Sequence, residues 1–600
     1  MWRNDFMSGR GLYPLATAVV LALLPLGASP GKKKASPQTP IKSTETVGDL
    51  AVVQRSGETK IEGVGLVSGL AETGGDAQGS VYRTRILEEM RKAGVENANA
   101  LLSKSKNFAI VIVKGVIHTG VDTKDRLDVQ IELPPGSEAT SLSGGYLMKT
   151  RLREIMLGND SRLHDGKDLA NVEGPVMIGN AERPEDPKVG RVLGGMKVRD
   201  EVPYRLLIGE KHRSLNTAKL LETVINRRFN QRDGVDDKGM ARGKTDGFLT
   251  IKVPHLYHQN QEHYFRVVQF LTMIDTPELR AKRVEEWSKE LLDIKTSGTA
   301  ALKLEGVGPS VADALIPGLS SPNAQVRFFA AEALAYLDNP AGVEVLADTT
   351  IKIPEFRAYA LAALAAMSND AAQIKLRKLM DEPDTQVRYG AFMALRVLDP
   401  GNPFLGRVRI LDAPAEEEEE EAPTDRMALG IAADGPPLVH VSRTRRSEIV
   451  VFGRRQQLLP PVVLGTGAIL LNAAVSDNRI EVSKIVSTRF NDTDIKIASS
   501  LDLEDVIRRV ANLGATYPEI VSILQAADRQ KNLAGALVVD ATPSSNTQYI
   551  QAILGKDLTA KKDDAIKKAG LEKKKEPPRR RFFSFFRRSA STSDDKPEKT

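Results

Sequence analysis

Residues 126–152, RLDVQIELPPGSEATSLSGGYLMKTRL, decide how the first part of this chain folds. Apolar and polar residues alternate over 127–133, which predicts a half-buried strand. The Pro-Pro-Gly sequence at 134–136 ends that strand. A turn with paired glycines, SLSGGYLM at 141–148, then leads into a second apolar strand. No catalytic group converges on this stretch, so it predicts a folding unit and not an active site.

Composition indicates a multidomain soluble protein of 600 residues, with 27% charged and 41% hydrophobic residues. Cysteine is absent, which excludes disulfides, zinc-thiolate sites and thiol catalysis. The net charge of +6 is unevenly placed, because residues 561–600 carry 14 Lys or Arg against 7 Asp or Glu. The basic character therefore belongs to the C-terminal tail.

The N-terminus has the pattern of an export signal over residues 1–28. Arg3 and Arg10 precede a short apolar run, and Leu26-Gly27-Ala28 is an acceptable cleavage site. The run is shorter than the roughly 20 residues that a membrane-spanning helix needs. We expect a cleaved signal peptide, with an uncleaved anchor as the alternative. Residues 29–45 are rich in Pro, Lys and Ser and predict a flexible spacer.

The segment 46–297 predicts an α+β region. Helices are expected at 80–93, 215–229 and 264–274, and strands include 108–116 and 248–254. Residues 158–198 are Gly-rich and are expected to be loop-like, with short strands around 176–178 and 191–193. The glycines of 63–69 have the spacing G-x-G-x-x-x-G without a following helix start, which argues against a dinucleotide site.

Residues 298–411 change character to Ala-rich helices that repeat. The segments 326–334, 356–364 and 387–395 align, and they place arginines at intervals of 30 and 31 residues, at Arg327, Arg357 and Arg388. This pattern resembles a short HEAT-repeat array, here called the solenoid, in which helix pairs bury their apolar faces by stacking. We interpret the arginines as struts between repeats, with ligand contact as the alternative. Gly298 and the following linker predict that the solenoid folds separately.

Residues 412–437 predict a linker, because six consecutive glutamates at 416–421 lie among prolines. The segment 438–541 then returns to an α+β pattern. Its helices are expected at 500–512, with Ser500 as the cap, and at 518–527, and a final strand is expected at 537–539.

Several motifs together resemble the flagellar basal-body P-ring protein family. They are GVGLVSGL at 63–70, the Asp-Val strand and SLSGGYL turn of the central stretch, NRRF at 226–229, and NLGATYPEIVSILQA at 512–526 followed by GAL at 535–537. The turn ETGGD at 72–76 and one Tyr before Pro518 depart from the family pattern. The resemblance covers 46–293 and 438–540. It implies a non-catalytic periplasmic ring subunit that surrounds the flagellar rod and associates with peptidoglycan.

Two local motifs could suggest other chemistry. His255, His258 and His263 with Glu262 could bind zinc or nickel, but their position between a strand and a helix favours a polar connecting loop. Residues 304–312 resemble the helix-hairpin-helix element of DNA-binding proteins over a short length. Because an exported protein rarely encounters nucleic acid, we expect no nucleic-acid partner.

The tail over 542–600 is expected to be largely disordered. Within it, RRRFFSFFRR at 579–588 combines arginines with phenylalanines. This composition favours an anionic envelope surface of glycan or lipid head groups, and a solvated tail without a ligand is the alternative.

The sequence therefore predicts an α+β multidomain fold in which two P-ring-like regions, 46–297 and 438–541, are interrupted by an all-α solenoid. We expect a homo-oligomeric structural subunit of the flagellar P ring that contacts the rod, outer-membrane ring proteins and peptidoglycan. We assign no catalytic residue, cofactor or metal ligand. The alternative is an exported envelope scaffold that captures a protein with its solenoid, and a metal-dependent envelope hydrolase using the histidine cluster is the third hypothesis.

Overall fold

The computed structural model describes residues 44–544, apart from 55–56, 93, 105, 158–162, 181, 231–238, 412–424, 433–434, 454 and 486–493. The predicted signal peptide, the glutamate run and the Arg-Phe segment of the tail lie outside the described residues. Within the part of the chain that the structure describes, no helix is both long enough and apolar enough to cross a membrane.

The N-terminal region contains two antiparallel sheets and five helices among its described residues. Its elements are α1 (Val47–Leu50), β1 (Ala51–Gln54), β2 (Glu58–Ser68), α2 (Val81–Lys92), α3 (Ala98–Lys104), β3 (Ala109–His118), β4 (Leu127–Glu132), β5 (Tyr146–Leu157), β6 (Leu163–Pro175), β7 (Met177–Ile178), β8 (Val189–Val198), β9 (Tyr204–Ile208), α4 (Leu215–Arg228), β10 (Ala241–Gly243), β11 (Phe248–Ile251) and α5 (Gln261–Phe270).

The larger sheet closes on itself as a barrel. Its strands pair in the order β4-β3-β2-β5-β6-β8, and β8 pairs back onto β4 with Val129 opposite Val192. Val129 and Ile131 point into a core shared with Leu142 and Leu147. The alternation in the central stretch therefore predicted both the strand and the face that it buries.

The short strands predicted around 176–178 and 191–193 are present as β7 and as part of β8. The expectation of a loop is wrong for 163–175, which forms β6, and β8 is longer than predicted. Its glycines serve close strand packing in the barrel. A Cβ atom at Gly195 would lie 2.4 Å from the carbonyl oxygen of Glu173, and one at Gly190 would lie 2.8 Å from Cγ1 of Val176. Glycine occurs here because neighbouring side chains and backbone leave no room for a Cβ atom. The Gly-rich composition alone predicted a loop.

The smaller sheet has the order β1-β9-β11-β10. Helices α4 and α5 pack against it and share one hydrophobic core with it. Helix α5 ends at Phe270, four residues before the predicted end. The following backbone pairs with the chain start, since Val47 N donates to Leu271 O and Met273 N donates to Glu45 O. These bonds remove 271–273 from the helix.

The solenoid consists of stacked helices, as the repeat pattern predicted. After α6 (Pro277–Leu291), its helices are α7 (Ser297–Val307), α8 (Ile316–Leu319), α9 (Ala324–Tyr336), α10 (Val343–Lys352), α11 (Pro354–Ala365), α12 (Asp370–Leu379) and α13 (Thr385–Leu398). Asn323, Asn369 and Asp384 cap α9, α12 and α13 by accepting backbone N–H bonds.

Among its described residues, the C-terminal region holds two further sheets and two helices. Its elements are β12 (Arg407–Leu411), β13 (Asp425–Ala432), β14 (Leu438–Val441), β15 (Glu448–Phe452), β16 (Val462–Thr466), β17 (Ile469–Ala473), β18 (Arg479–Lys484), β19 (Ile495–Ser500), α14 (Leu503–Asn512), α15 (Tyr517–Arg529) and β20 (Ala536–Val539). The sheets have the orders β12-β13-β15-β14-β20 and β16-β17-β18-β19.

Three details of the predicted boundaries differ in this region. The end of the segment assigned to the solenoid forms β12, and the segment assigned to the linker contains β13, which pairs with β12 and β15. The apolar alternation of Met427 and Leu429 was obscured by the neighbouring glutamates and prolines. Helix α14 begins at Leu503 with Asp502 as its N-cap residue, because Ser500 is engaged with the Asp505 carboxylate through its N–H and hydroxyl.

The solenoid does not form a separate core. One cluster of buried side chains runs from Val47 and the smaller N-terminal sheet through the helices of the solenoid to Leu438 and Phe452 of the C-terminal region. The expectation of an independently folding insert is therefore not met by the structure. Excising 298–437 would cut through this continuous core.

Candidate functional site: two buried junctions of the solenoid

The solenoid meets the N-terminal region at a buried polar cluster that we call the N-junction: Tyr257, His263, Glu305, Glu332 and Tyr336. His263 lies on α5, Glu305 on α7 and Glu332 on α9. The His263 Nε2 atom is 2.7 Å from a carboxylate oxygen of Glu305, and Nδ1 is 3.5 Å from one of Glu332. Both nitrogens of one ring therefore face carboxylates from two helices of the solenoid.

Aromatic rings enclose this cluster. Tyr257 stacks on Tyr336 with ring centroids 4.6 Å apart, and His263 stacks on Tyr336 at 4.5 Å. The Tyr257 hydroxyl donates to the second oxygen of Glu305 at 2.7 Å. Glu305 is fully buried and thus accepts from both Tyr257 and His263, as a buried carboxylate requires.

The N-junction holds groups with displaced pKa values. Burial acts to lower the pKa of His263, but the carboxylates of Glu305 and Glu332 outweigh it and raise that pKa above its ordinary value. Burial raises the pKa of Glu332 to about 7, although His263 opposes it. Both shifts act to retain a proton within the cluster.

The predicted histidine cluster is not brought together. The rings of His255 and His258 lie 5.4 Å apart on an exposed turn, and His258 Nε2 is 3.0 Å from the Val253 carbonyl oxygen. His263 is buried instead against the solenoid, and Glu262 lies 3.5 Å from Arg266. Among the described residues, no three His, Asp or Glu side chains form a group that could hold a metal ion.

The solenoid meets the C-terminal region at a second cluster that we call the C-junction: Tyr389, Arg396, His440, Glu448 and Tyr517. The Tyr389 hydroxyl donates to one Glu448 oxygen at 2.9 Å, and Arg396 of the same helix forms an ion pair with the other. The Tyr517 hydroxyl lies 2.5 Å from the Ser442 carbonyl oxygen. Helix α13 is thus fastened to the sheet through both oxygens of one buried carboxylate.

His440 in the C-junction is held neutral. Its ring stacks on Tyr389 at 3.4 Å, and its Nε2 accepts a hydrogen bond from the Ala541 amide at 3.1 Å. Burial lowers the pKa of His440 to about 4, against the opposing effect of Glu448 and Asp540. An imidazolium has no lone pair with which to accept the Ala541 bond, so the geometry and the pKa agree.

The three repeated arginines differ in which segments of the chain they contact. Arg327 donates to the carbonyl oxygens of the turn at 321–322, just before its own helix. Arg357 donates to Thr350 O and lies 3.1 Å from the Asp384 carboxylate of the next repeat. Arg388 donates to Met380 O and to Pro436 O. Two of the three therefore tie neighbouring segments together, in agreement with the interpretation as struts.

A third contact joins the barrel directly to the C-terminal region. Asp128 on β4 accepts from Gly194 N with one oxygen and from Arg445 N with the other, both at 2.8 Å. Arg443 reaches the Ile178 carbonyl oxygen at 3.4 Å, and Met177 packs in the C-terminal core. The Asp-Val pair of the central stretch thus supplies one residue to the barrel core and one to this contact.

Comparison with known proteins gives separate matches for the N-terminal region and for the solenoid. Residues 46–285 match the family model of the flagellar P-ring protein. Residues 312–396 match the family model of HEAT repeats. The resemblance predicted from sequence is thus confirmed for the barrel with its α/β layer and for the solenoid. The P-ring match covers less than half of the chain, and the predicted resemblance of 438–540 to the same family stays a prediction.

The similar curated proteins bear the same name. A flagellar P-ring protein of Syntrophotalea carbinolica is 28% identical over 241 residues, which is 38% of this chain and 60% of that protein. The one of Thermotoga maritima is 27% identical over 254 residues, or 40% of this chain and 67% of the relative. That of Helicobacter acinonychis is 27% identical over 31% of this chain and 52% of the relative. The chain spans about 60% of the length of the first of these relatives.

Sequence reasoning missed the glutamates of both junctions. Glu332 did carry a signal, because the aligned positions in the other two repeats are Ala362 and Met393. A charge at an otherwise apolar repeat position predicts a buried partner. Glu305 lay within the motif considered for DNA binding, and its burial on α7 shows that this segment serves packing. No comparable signal singled out Glu448.

Proposed function

We propose that this protein is a structural subunit of a flagellar P ring that surrounds the rod in the periplasm and supports motility. The observation that carries the proposal is the match of residues 46–285 to the flagellar P-ring protein, which spans the closed barrel and the α/β layer beside it. Homo-oligomerisation, contact with the rod and outer-membrane ring proteins, and association with peptidoglycan belong to this proposal.

The buried junctions favour a structural role over a catalytic one. Both clusters pair their charged groups internally, and the carboxylates of Glu305 and Glu448 are almost fully buried. Buried polar networks of this kind specify how segments dock. We therefore propose that the solenoid is a built-in brace of the subunit and that the chain is not an enzyme.

Deletion of the gene tests the proposal. We expect loss or weakening of swimming, restoration by the full chain, and recovery of the protein in purified basal bodies with a ring around the rod in negative-stain images. The matched control is the deletion strain to which the gene for the flagellar filament protein has been added in place of the full chain. It controls for general effects on growth and should not recover swimming. Normal swimming together with absence from basal bodies would overturn the proposal.

The exported scaffold that uses its solenoid to capture a protein remains the second proposal. It is favoured by the observation that the P-ring match ends before the solenoid begins. It predicts that the protein is found in the periplasm but not in basal bodies. Fractionation of the envelope, with and without flagella, separates the two proposals.

A further inference from the structure

A groove opens between the helices α2 and α3 and the outer face of the barrel. It encloses a cavity of about 460 Å³, within the roughly 300–1,000 Å³ that small-molecule sites occupy. Its floor consists of strands β2 and β5, and α2 and α3 cover it with a small separate core around Ile86 and Leu102. The groove is thus built by elements of the N-terminal region alone.

The groove has an apolar interior that continues to an exposed mouth. Val64, Leu66 and Met90 line the inside. Leu101 and Met148 line the mouth and are 44% and 46% exposed. The apolar lining therefore continues from the interior to the surface, where it is open to contact with an apolar ligand.

The rim carries more positive than negative charge. Arg85, Lys92, Lys149, Arg151 and Arg153 line the groove against Glu62, Glu88 and Glu89. Glu89 is already surrounded by Lys92 at 3.2 Å, Arg153 at 3.4 Å and Arg151 at 3.8 Å. Lys149 is exposed and forms no hydrogen bond or ion pair with the described residues. Cations therefore remain available to an anion at the mouth.

Glu62 is half-buried in the wall of the groove. Burial raises the pKa of its carboxyl above the ordinary value, although Lys114 opposes the change. With five basic and three acidic side chains lining the groove, positive charge is in excess there.

We propose that this groove binds a monomeric fatty acid, with the acyl chain between α2 and the barrel and the carboxylate beside Lys149 and Arg151. A single chain suits an enclosed cavity of this size, and a carboxylate suits a rim that presents a guanidinium and an ammonium group. This inference goes beyond the proposed structural role and does not depend on it.

The absence of cysteine allows a local readout in the full chain. A Met148→Cys variant has a single thiol at the groove mouth, which can carry a fluorophore that reports polarity. A Val475→Cys variant places the same label at a residue that is 77% exposed in the C-terminal region. Because the Arg-Phe segment at 579–588 could bind anionic amphiphiles by itself, only a label in the groove separates the two sites.

Titration with myristate below its micellar concentration is expected to shift the emission of the Met148 label to the blue and to saturate, while the Val475 label shows no saturable change. Tetradecyltrimethylammonium, which matches the 14 carbons of myristate and has a cationic head, should bind at least about tenfold more weakly. Removing one exposed charge by Lys149→Ser should weaken myristate binding about threefold, and Lys149→Ser with Arg151→Ser about tenfold at low salt. Lys496→Ser, an exposed lysine of β19, is the matched control and should change nothing.

Equal affinity for the anionic and cationic amphiphiles would overturn the proposal, because the rim would then play no part. A Met148 signal that does not respond to myristate but rises with protein concentration would also overturn it and assign the groove to a second copy of the chain. Binding of the protein to anionic vesicles, without a response of the Met148 label to vesicles or to monomeric myristate, would assign anion binding to a site outside the groove and defeat the proposal.

Discussion

The N-junction and the C-junction each bury a histidine, a glutamate and a tyrosine where the solenoid meets a sheet, yet the pKa values of their histidines are shifted in opposite directions. His263 has a carboxylate 2.7 Å from Nε2 and a raised pKa. His440 accepts a backbone N–H, and its neighbour Glu448 is already occupied by Tyr389 and Arg396. The difference teaches that burial alone favours the neutral ring, and that only a direct carboxylate contact reverses it.

The two junctions therefore differ in how they respond to conditions. The ion pair of the C-junction uses arginine, which stays charged at every accessible pH. The pair of the N-junction uses histidine, which can lose its proton near neutral pH. One end of the solenoid is held by a fixed charge and the other by a titratable one.

Loss of the junction carboxylates should have the largest effect. Glu448→Leu leaves the charge of Arg396 without its buried partner, and we expect the free energy of unfolding to fall by about 3–5 kcal/mol. Glu305→Leu should cost less, about 2–4 kcal/mol, because His263 can release its proton and become neutral. Urea unfolding at pH 7 measures both.

The matched control for these variants is Glu285→Leu on α6, an exposed glutamate beside Lys289, which should leave the unfolding midpoint unchanged. A greater loss from Glu305→Leu than from Glu448→Leu would contradict the idea that the fixed charge of arginine sets the difference.

The pH dependence of the N-junction is the next largest effect. Because the pKa of Glu332 is about 7 in the folded protein and about 4.3 in an unfolded chain, the folded state holds this proton longer. Stability from Glu332 is therefore full below about pH 4 and falls as pH rises towards 7. Glu332→Gln, which cannot ionise, should gain about 2–3 kcal/mol relative to the wild type between pH 5 and pH 8.

Unfolding curves of the wild type and of Glu332→Gln at several pH values test this prediction. A constant difference between the two proteins from pH 5 to pH 8 would show that Glu332 keeps its charge in the folded state and would refute it.

The C-junction should show the opposite trend. The pKa of His440 is about 4 in the folded protein and about 6.5 in an unfolded chain, so the unfolded state binds the proton first as pH falls. Stability from His440 is present above about pH 6.5 and is lost as pH falls towards 4. Relative to His440→Gln, the wild type should gain about 2 kcal/mol between pH 5 and pH 7.5.

The control for this comparison is His118→Gln, which changes a histidine whose side chain is 59% exposed on β3 and lies outside the C-junction. If His440→Gln and the wild type have parallel profiles, the neutral buried ring is disproved.

Removal of single hydroxyl groups should give the smallest effects. Tyr257→Phe and Tyr389→Phe each remove a hydrogen bond to a buried carboxylate, and each should cost about 1.5–2 kcal/mol. Tyr264→Phe is the matched control, because its buried hydroxyl has no hydrogen-bond partner among the described residues. That variant should be neutral, and a loss as large as the other two would indicate a packing effect.

Local periodicity predicted the elements well, because it reports which face of a strand or helix is buried. Alternation over 127–133 gave a barrel strand, and the repeat around Arg327, Arg357 and Arg388 gave the stacked helices. Composition was a weaker guide. The glycines of 158–198 predicted a loop, although they allow strands to pack closely. The glutamates near β13 predicted a linker for a segment that contains this strand.

The junctions could not be predicted from the sequence, because their residues are far apart in it. His263 and Glu305 are separated by 42 residues, and Tyr389 and Glu448 by 59. Such pairs depend on how the solenoid docks at each end, which no local pattern encodes. The histidines were visible, but their neighbours and therefore their charges were not.

The direct contact of Asp128 with Arg445 N has a mechanical consequence. The N-terminal region, the solenoid and the C-terminal region are joined pairwise, so the three form a triangulated frame. In such a frame, bending at one joint stretches or compresses the opposite side, and no single joint can act as a free hinge. Shear applied to the barrel is thus shared between two routes to the C-terminal sheets, one through the solenoid and one through the direct contacts of Asp128, Met177 and Ile178.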